Sequence, residues 1–148
     1  MYIYDKLYSQ YHHVVAQLLI TADDIETPER AKNFHNTLAR LLQLRTLPII
    51  NENDTVATQE LGIGDNDTLA AIVARTIRAD LLILFSDIDG LFTADPRSDP
   101  AAKLIAAHIA TEAGVPMVIA NGAQPAALYD LMDGKPVGTK FLAREEKA

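Results

Sequence analysis

The chain has 148 residues, 49% of them hydrophobic, and thirteen basic residues against twenty acidic ones give a net charge of −7. This length and apolar content suit a single domain with a buried core. The negative charge argues against nucleic acids and anionic membrane surfaces as partners. Without cysteine there is no disulfide or thiolate metal site, as is usual in a reducing compartment. No stretch approaches the roughly 18 apolar residues of a membrane span, and the first residues do not resemble a signal peptide. We therefore expect a cytoplasmic protein that binds a small molecule.

The first third of the chain predicts a helix, a strand and a second helix. Aromatic and apolar residues recur at helical spacing between residues 4 and 15. The apolar run from Ala16 to Ile20 then ends at the polar Thr21, as a buried strand does where it enters a loop. Thr27 and Pro28 favour the start of the next helix, which continues to about Leu44.

The rest of the chain continues the alternation of strands and helices. A strand over 47–50 leads into a polar loop of about 16 residues, long enough to favour a binding role over a plain connection. Asn66 or Asp67 then caps a helix that reaches about Arg78. The later elements are a strand over 80–86, a helix over 101–113, a strand over 115–120, a helix over 125–132, and an edge strand or tail over 137–142.

This alternation predicts an α/β fold, namely a three-layer sandwich with a mainly parallel sheet and helices on both faces. We expect one domain over 1–148. Ligands of open α/β sheets bind beyond the carboxyl ends of the strands. The four predicted strands end in polar loops at Thr21, Asn51, Ser86 and Asn121, so this edge is the predicted site.

Several common motifs are absent or incomplete. There is no Walker A loop and no GxGxxG, and His12, His13, His35 and His108 lack metal-ligand spacing, so we predict no protein metal site. The segment Asp87-Ile88-Asp89-Gly90 resembles the nucleophile strand of haloacid-dehalogenase-like phosphatases. Leu91 replaces the Thr or Ser expected after that glycine, which makes a phosphatase a weak alternative.

The polar loop itself carries more acceptors than a turn needs. Asp54 and Asp65 accompany three asparagines, and a ligand ammonium group or a magnesium ion would satisfy them. For Asp67 spacing alone leaves two interpretations open, a site residue and a helix N-cap.

Three long segments resemble those of the glutamate 5-kinases within the amino acid kinase family. They are Pro48-Ile49-Ile50-Asn51-Glu52-Asn53-Asp54-Thr55-Val56-Ala57, Gly64-Asp65-Asn66-Asp67-Thr68-Leu69, and Ser86-Asp87-Ile88-Asp89-Gly90-Leu91-Phe92-Thr93-Ala94-Asp95-Pro96-Arg97. They occur in the family's order and spacing. Gly138-Thr139-Lys140-Phe141 is similar to the motif that closes the kinase domain of that family.

The resemblance implies transfer of the γ-phosphoryl group of ATP, with Mg²⁺, to the side-chain carboxylate of L-glutamate, the first step of proline biosynthesis. It also implies a homo-oligomer. By resemblance, Asp67 organises the catalytic centre. The residues that would hold glutamate are Asn51, Asp54, Asp65 and Asn66, and those that would contact the nucleotide are Ser86 and Asp87.

The chain departs from the family pattern in three places. The resemblance leads us to expect a phosphate-binding loop with a lysine before the first residue, and a glycine-rich loop with a second lysine after Lys103-Leu104-Ile105. Neither is present in the sequence, and neither is the RNA-binding-like C-terminal domain of many members. We therefore expect a partial kinase domain with poor activity, in which Asp67 has no lysine to orient and serves as a helix cap. The alternative is a non-catalytic remnant that binds glutamate or oligomerises.

Overall fold

The computed structural model describes residues 1–53, 65–87 and 100–144. They belong to two compact units, Met1–Asn66 and Asp67–Ala148. Among these residues no helix combines the length and the apolar character needed to cross a membrane.

The first unit pairs two parallel strands with a long helix. Its elements are α1 (Tyr2–Ser9), β1 (Val14–Ile20), α2 (Asp23–Glu26), α3 (Pro28–Gln43) and β2 (Thr46–Glu52). The strand register runs from Val14 opposite Thr46 to Ile20 opposite Glu52. Phe34 and Leu38 are the buried residues of α3.

Two predictions for this unit need correction. The predicted helix over 4–15 is too long, because α1 ends at Ser9 and Val14 and Val15 belong to β1. The apolar residues of the strand continue the helical spacing of the aromatic residues in α1, although residues 10–13 separate the two elements. The short helix α2 was predicted as loop. The start of α3 agrees with its prediction, since Thr27 occupies the N-cap position and Pro28 the first turn, although the Thr27 side chain makes no capping hydrogen bond.

The second unit contains a three-stranded sheet. Its elements are α4 (Asn66–Ile77), β3 (Leu82–Ser86), α5 (Pro100–Glu112), β4 (Met117–Asn121), α6 (Ala127–Met132) and β5 (Thr139–Phe141). The strand β4 lies between β3, to which it is parallel, and β5, to which it is antiparallel. The segment predicted as an edge strand or tail is therefore a strand, and the α/β class with mainly parallel pairing is confirmed.

One face of this sheet forms the core of the second unit. Large apolar residues of β3 and β4 pack against alanines of α4 and α5. Small side chains on a helix allow its backbone to approach a sheet closely, which fixes the helix position. The buried cluster consists of Ala71, Ala74, Leu82, Leu84, Ala106, Ala107, Ala110, Val115, Met117 and Ile119.

Gly138, at the start of β5, approaches the backbone of β4 too closely for any side chain. Its φ is +64°, and a Cβ atom there would overlap the carbonyl oxygen of Ile119 and lie 2.9 Å from its carbonyl carbon. Gly134 also has a positive φ, +76°, but a Cβ atom at that position would meet nothing within 4 Å. A comparison of the same substitution at the two glycines therefore separates the cost of backbone strain from the cost of steric overlap.

We predict that Gly138→Ala destabilises the protein far more than Gly134→Ala. Alanine in the left-handed region costs roughly 1–2 kcal/mol at either position, whereas overlap with a strand backbone should bring Gly138→Ala above about 4 kcal/mol. Urea unfolding of both variants measures the difference. Equal losses would show that Gly138 tolerates a side chain against β4.

Candidate active site

The carboxyl ends of β3 and β4 lie side by side and are joined by their own backbone. Ser86 is the register partner of Asn121, and the amide of Gly122 donates a hydrogen bond of 2.7 Å to the carbonyl oxygen of Ser86. A Cβ atom on Gly122 would lie 3.4 Å from both that oxygen and the Cβ of Phe85. The first residues of the two loops that follow these strands are therefore fixed in position relative to each other.

Polar side chains follow both strands at this edge. The Ser86 hydroxyl donates to a carboxylate oxygen of Asp87 over 3.1 Å, in an exposed position. The side-chain oxygen of Asn121 accepts a hydrogen bond of 2.8 Å from the amide of Ala123. Ser86 and Asp87, the predicted nucleotide-binding residues, thus contact each other where a ligand can reach them.

The amino ends of α4 and α5 bring two charges to the same edge. Each helix precedes its strand in the chain and crosses back along the sheet, so it begins where the parallel strands end. Asp67 is the second residue of α4, and Lys103 lies in the first turn of α5. The Nζ atom of Lys103 lies 3.0 Å from Oδ2 of Asp67, and the two side chains are only 12% and 26% exposed.

The ion pair corrects two expectations about Asp67. Because α4 begins at Asn66, Asp67 lies inside the first turn and is not the helix cap. Asp67 was also expected to have no lysine to orient, but it pairs with Lys103. Sequence spacing could not reveal this contact, because it joins residues 36 positions apart.

Electrostatics explains why the pair is stable at this place. An acidic side chain is favourable near the amino end of a helix, where the helix dipole is positive, but a lysine there is unfavourable. Asp67 therefore offsets the unfavourable position of Lys103. Because both charges are largely shielded from water, removing one would leave the other poorly compensated.

The helix α5 also bears on the segment expected to be missing after Ile105. It runs from Pro100 to Glu112 without interruption, and Ala106 is fully buried. The point after Ile105, where the extra segment was expected, is therefore part of a continuous helix. This helix fixes the position of Lys103.

The predicted glutamate residues lie at the end of β2 and the start of α4. Asn51 is exposed as the second-to-last residue of β2, opposite Leu19 of β1. Asp65 is half-buried, and Asn66 is exposed as the first residue of α4. Asp54 lies outside the described residues, as does the whole segment from Asp89 to Arg97. Within the second unit, the geometry joins Ser86 to Asp87 and Asp67 to Lys103.

A polar network after β1 was not predicted from the sequence. The amide and hydroxyl of Thr21 donate to Oδ2 of Asp24 over 2.8 and 2.9 Å, and Nε of Arg30 donates to Oδ1 over 3.0 Å. Burial raises the pKa of the Asp24 carboxyl, but these hydrogen bonds and the Arg30 charge outweigh it and lower the pKa below its ordinary value. The network fixes the first polar turn beyond β1.

Within the described ranges, no three His, Cys, Asp or Glu side chains are grouped closely enough to hold a metal ion.

Two solved structures with a similar fold are kinases by title. The T. acidophilum isopentenyl phosphate kinase superposes with a TM-score of 0.64 at 16% identity, over 89% of this chain and 61% of that one. The UMP kinase of Bacillus anthracis gives 0.64 at 17% identity, over 94% and 62%. At these identities the likeness establishes the fold alone, a kinase-type α/β fold.

The family follows from sequence comparison. The model of the amino acid kinase family matches residues 1–127, and the chain belongs to that family. Among curated relatives, the glutamate 5-kinase of Clostridium tetani is 40% identical over 97% of this chain and 65% of its own length. That of Deinococcus radiodurans is 42% identical over 97% and 48%.

The chain spans about half to two thirds of the length of these relatives. The alignment with the glutamate 5-kinase of Moorella thermoacetica runs over 179 positions and includes all of this chain. Because the chain has 148 residues, at least 31 of the 179 aligned positions have no counterpart in it. These positions fall within the matched region, in agreement with an internal segment that the relatives have and this chain lacks.

We predict that the Asp24 carboxylate stabilises the first unit at neutral pH and loses this contribution below about pH 4. A carboxyl with a lowered folded-state pKa contributes stability above its unfolded pKa of about 4, and loses it as pH falls through the folded value. Asp24→Asn should therefore cost about 1–2 kcal/mol at pH 7, and this cost should shrink below about pH 4.

Urea unfolding at pH 7 and at about pH 2.5 measures this dependence. Asp23→Asn is the matched control, because Asp23 is 64% exposed and lies 3.7 Å from Arg30, and it should change stability by less than about 0.5 kcal/mol. An Asp24→Asn cost that is the same at both pH values would contradict the assignment.

Proposed function

We propose that this protein transfers the γ-phosphoryl group of ATP to the side-chain carboxylate of L-glutamate, the first step of proline biosynthesis. Membership of the amino acid kinase family supports a phosphotransferase. The glutamate 5-kinases that match over most of this chain support glutamate as the acceptor. ATP and glutamate are cytoplasmic metabolites, and we propose a cytoplasmic location.

The observation that carries this proposal is the ion pair between Asp67 and Lys103 at the carboxyl edge of β3 and β4. Phosphoryl transfer from ATP to a carboxylate brings two anions together, and the transition state is stabilised chiefly by positioned cations. Lys103 is such a cation, and Asp67 fixes its direction. Lys103 precedes Ile105, after which the resemblance places the second family lysine, so it is proposed as a different cation at this edge.

Ser86 and Asp87 are proposed to contact the nucleotide. The Ser86 hydroxyl can donate to a phosphate oxygen by turning away from Asp87, and both residues lie where ligands of α/β sheets bind. Mg²⁺ commonly binds to one or two carboxylates together with phosphate oxygens, and Asp87 fits that role. When bound, the ion would neutralise phosphate charge.

Glutamate is proposed to bind at the loop between β2 and α4. Carboxylates suit its ammonium group and amides its carboxylates. The residues assigned to this role are Asn51, Asp54, Asp65 and Asn66. Asp67 follows these residues directly in the sequence.

A second candidate function is glutamate binding without turnover. The observation that favours it is the set of at least 31 aligned positions of the Moorella thermoacetica relative that this chain lacks. If those positions supply a second cation, the short chain is a poor kinase, because one well-placed charge donor is worth about a hundredfold to a thousandfold in rate.

We predict that turnover of glutamate and MgATP depends on Lys103. Lys103→Met should lower kcat by about a hundredfold or more, and Lys103→Arg should recover part of the loss because it keeps the charge. A coupled assay of ADP release measures the rates. Lys32→Met, an exposed substitution on α3, is the matched control and should retain kcat within about twofold.

Four outcomes separate the candidates. Turnover that falls with Lys103→Met supports the kinase, whereas equal turnover in wild type and Lys103→Met would exclude this role for the lysine. Calorimetric binding of glutamate by a wild-type chain without any turnover would favour the second candidate. A folded wild-type chain that neither turns over nor binds glutamate would contradict both.

A further inference from the structure

The residue pair Asn121-Gly122 forms the first turn after β4. It is the only place in the sequence where an asparagine precedes a glycine, since the other five asparagines precede Phe, Thr, Glu or Asp. A backbone nitrogen can attack the side-chain amide of the asparagine before it, and glycine hinders this attack least because it has no side chain. Asn121 is half-buried and Gly122 is exposed, so water can reach the pair.

Two hydrogen bonds in this turn act on that reaction in opposite directions. The side-chain oxygen Oδ1 of Asn121 accepts a hydrogen bond of 2.8 Å from the amide of Ala123. A donor on this oxygen stabilises the negative charge that develops there during attack. The amide of Gly122 donates a hydrogen bond of 2.7 Å to the carbonyl oxygen of Ser86. Because the Gly122 nitrogen must lose its proton in order to attack, this hydrogen bond has to break first.

We propose that Asn121 is a site of spontaneous modification, and that the hydrogen bond from Gly122 to Ser86 limits its rate. The Gly122 nitrogen gives its proton to solvent and forms a bond to Cγ of Asn121, which closes a five-membered succinimide. The side-chain nitrogen takes up a proton and leaves as ammonia. Water then opens the ring at one of its two carbonyl carbons and yields aspartate or isoaspartate. The net reaction consumes one water and releases one ammonia, so it needs no oxidant and no cofactor.

The modification changes the edge of the sheet that carries the candidate site. Asn121 and Ser86 are register partners on neighbouring strands, which lie about 4.8 Å apart and direct such partners to the same face. Either product therefore adds a carboxylate to an edge that already holds Asp87. If this edge binds a nucleotide, as proposed above, the added charge opposes its phosphates. The modification itself does not depend on that function.

Gly122→Ala is the matched variant, because it keeps Asn121 and the turn while it hinders the attacking nitrogen. A Cβ atom on Gly122 would lie 3.4 Å from the carbonyl oxygen of Ser86 and from the Cβ of Phe85. These are van der Waals contacts that a folded chain can accept. The added methyl group should slow closure of the succinimide about tenfold or more.

Peptide mapping by mass spectrometry of the full chain tests the proposal, after incubation at mildly alkaline pH to favour loss of the amide proton. In folded wild type, Asn121 should be converted before any other asparagine. Isoaspartate should be among the products, since direct hydrolysis of the side chain gives aspartate alone. In guanidinium chloride, which unfolds the chain and removes the hydrogen bond to Ser86, the rate at Asn121 should rise about tenfold or more.

The comparison of Gly122→Ala with wild type remains decisive even if the variant does not fold, because the reaction is also measured in guanidinium chloride. There Gly122→Ala should react about tenfold more slowly than wild type or slower. Equal wild-type rates in the folded and unfolded chains would contradict the restraint by Ser86. No conversion of Asn121 in the folded chain, aspartate without isoaspartate, or an unchanged rate in unfolded Gly122→Ala would each overturn the proposal.

Discussion

The ion pair between Lys103 and Asp67 is the interaction on which the proposed chemistry of this edge depends. A lysine side chain has high rotamer entropy, and an unpaired ammonium group at the amino end of a helix is disfavoured by the helix dipole. Asp67 compensates for both effects, because it accepts a hydrogen bond of 3.0 Å from Lys103. The ion pair therefore holds the flexible side chain of Lys103 in one orientation.

The second unit is built so that this pair can form. Alanines on α4 and α5 allow both helices to pack closely on the sheet, which brings their amino ends within reach of one another. The backbone contact between Gly122 and Ser86 holds the neighbouring loops together, and Gly138 allows β5 to pack against β4. Because the elements are densely packed, the position of each one constrains its neighbours. The geometry of this edge therefore depends on these alanines and glycines as well as on the polar residues.

Much of the fold could be predicted from the sequence, because continuous apolar runs mark buried parallel strands. The runs ending at Ile20 and Ser86 gave strand ends that the structure places at the same residues. Val14 and Val15 were assigned to a helix because aromatic residues before them continued the helical spacing. Only the parallel pairing with β2 could show that these two valines extend the strand.

The candidate site was predictable in part. The polar pattern indicated the edge at which Ser86 lies, whereas the roles proposed for Ser86, Asp87 and Asp67 come from the family resemblance. Lys103 was not proposed from the sequence, because its pairing with Asp67 is a contact across 36 positions between two helices, and neither composition nor spacing encodes that contact. The hydrogen bonds of Asp24 were missed for a related reason, since Arg30 reaches back from the next helix.

A double-mutant cycle on Asp67 and Lys103 tests the central claim most directly. The free energy of unfolding in urea would be measured for wild type, Asp67→Asn, Lys103→Met and the double variant. A partly buried, hydrogen-bonded ion pair should give a coupling energy of about 1–2 kcal/mol. Additive losses, within about 0.3 kcal/mol, would show that the two residues do not act as a unit and would contradict this account of the site.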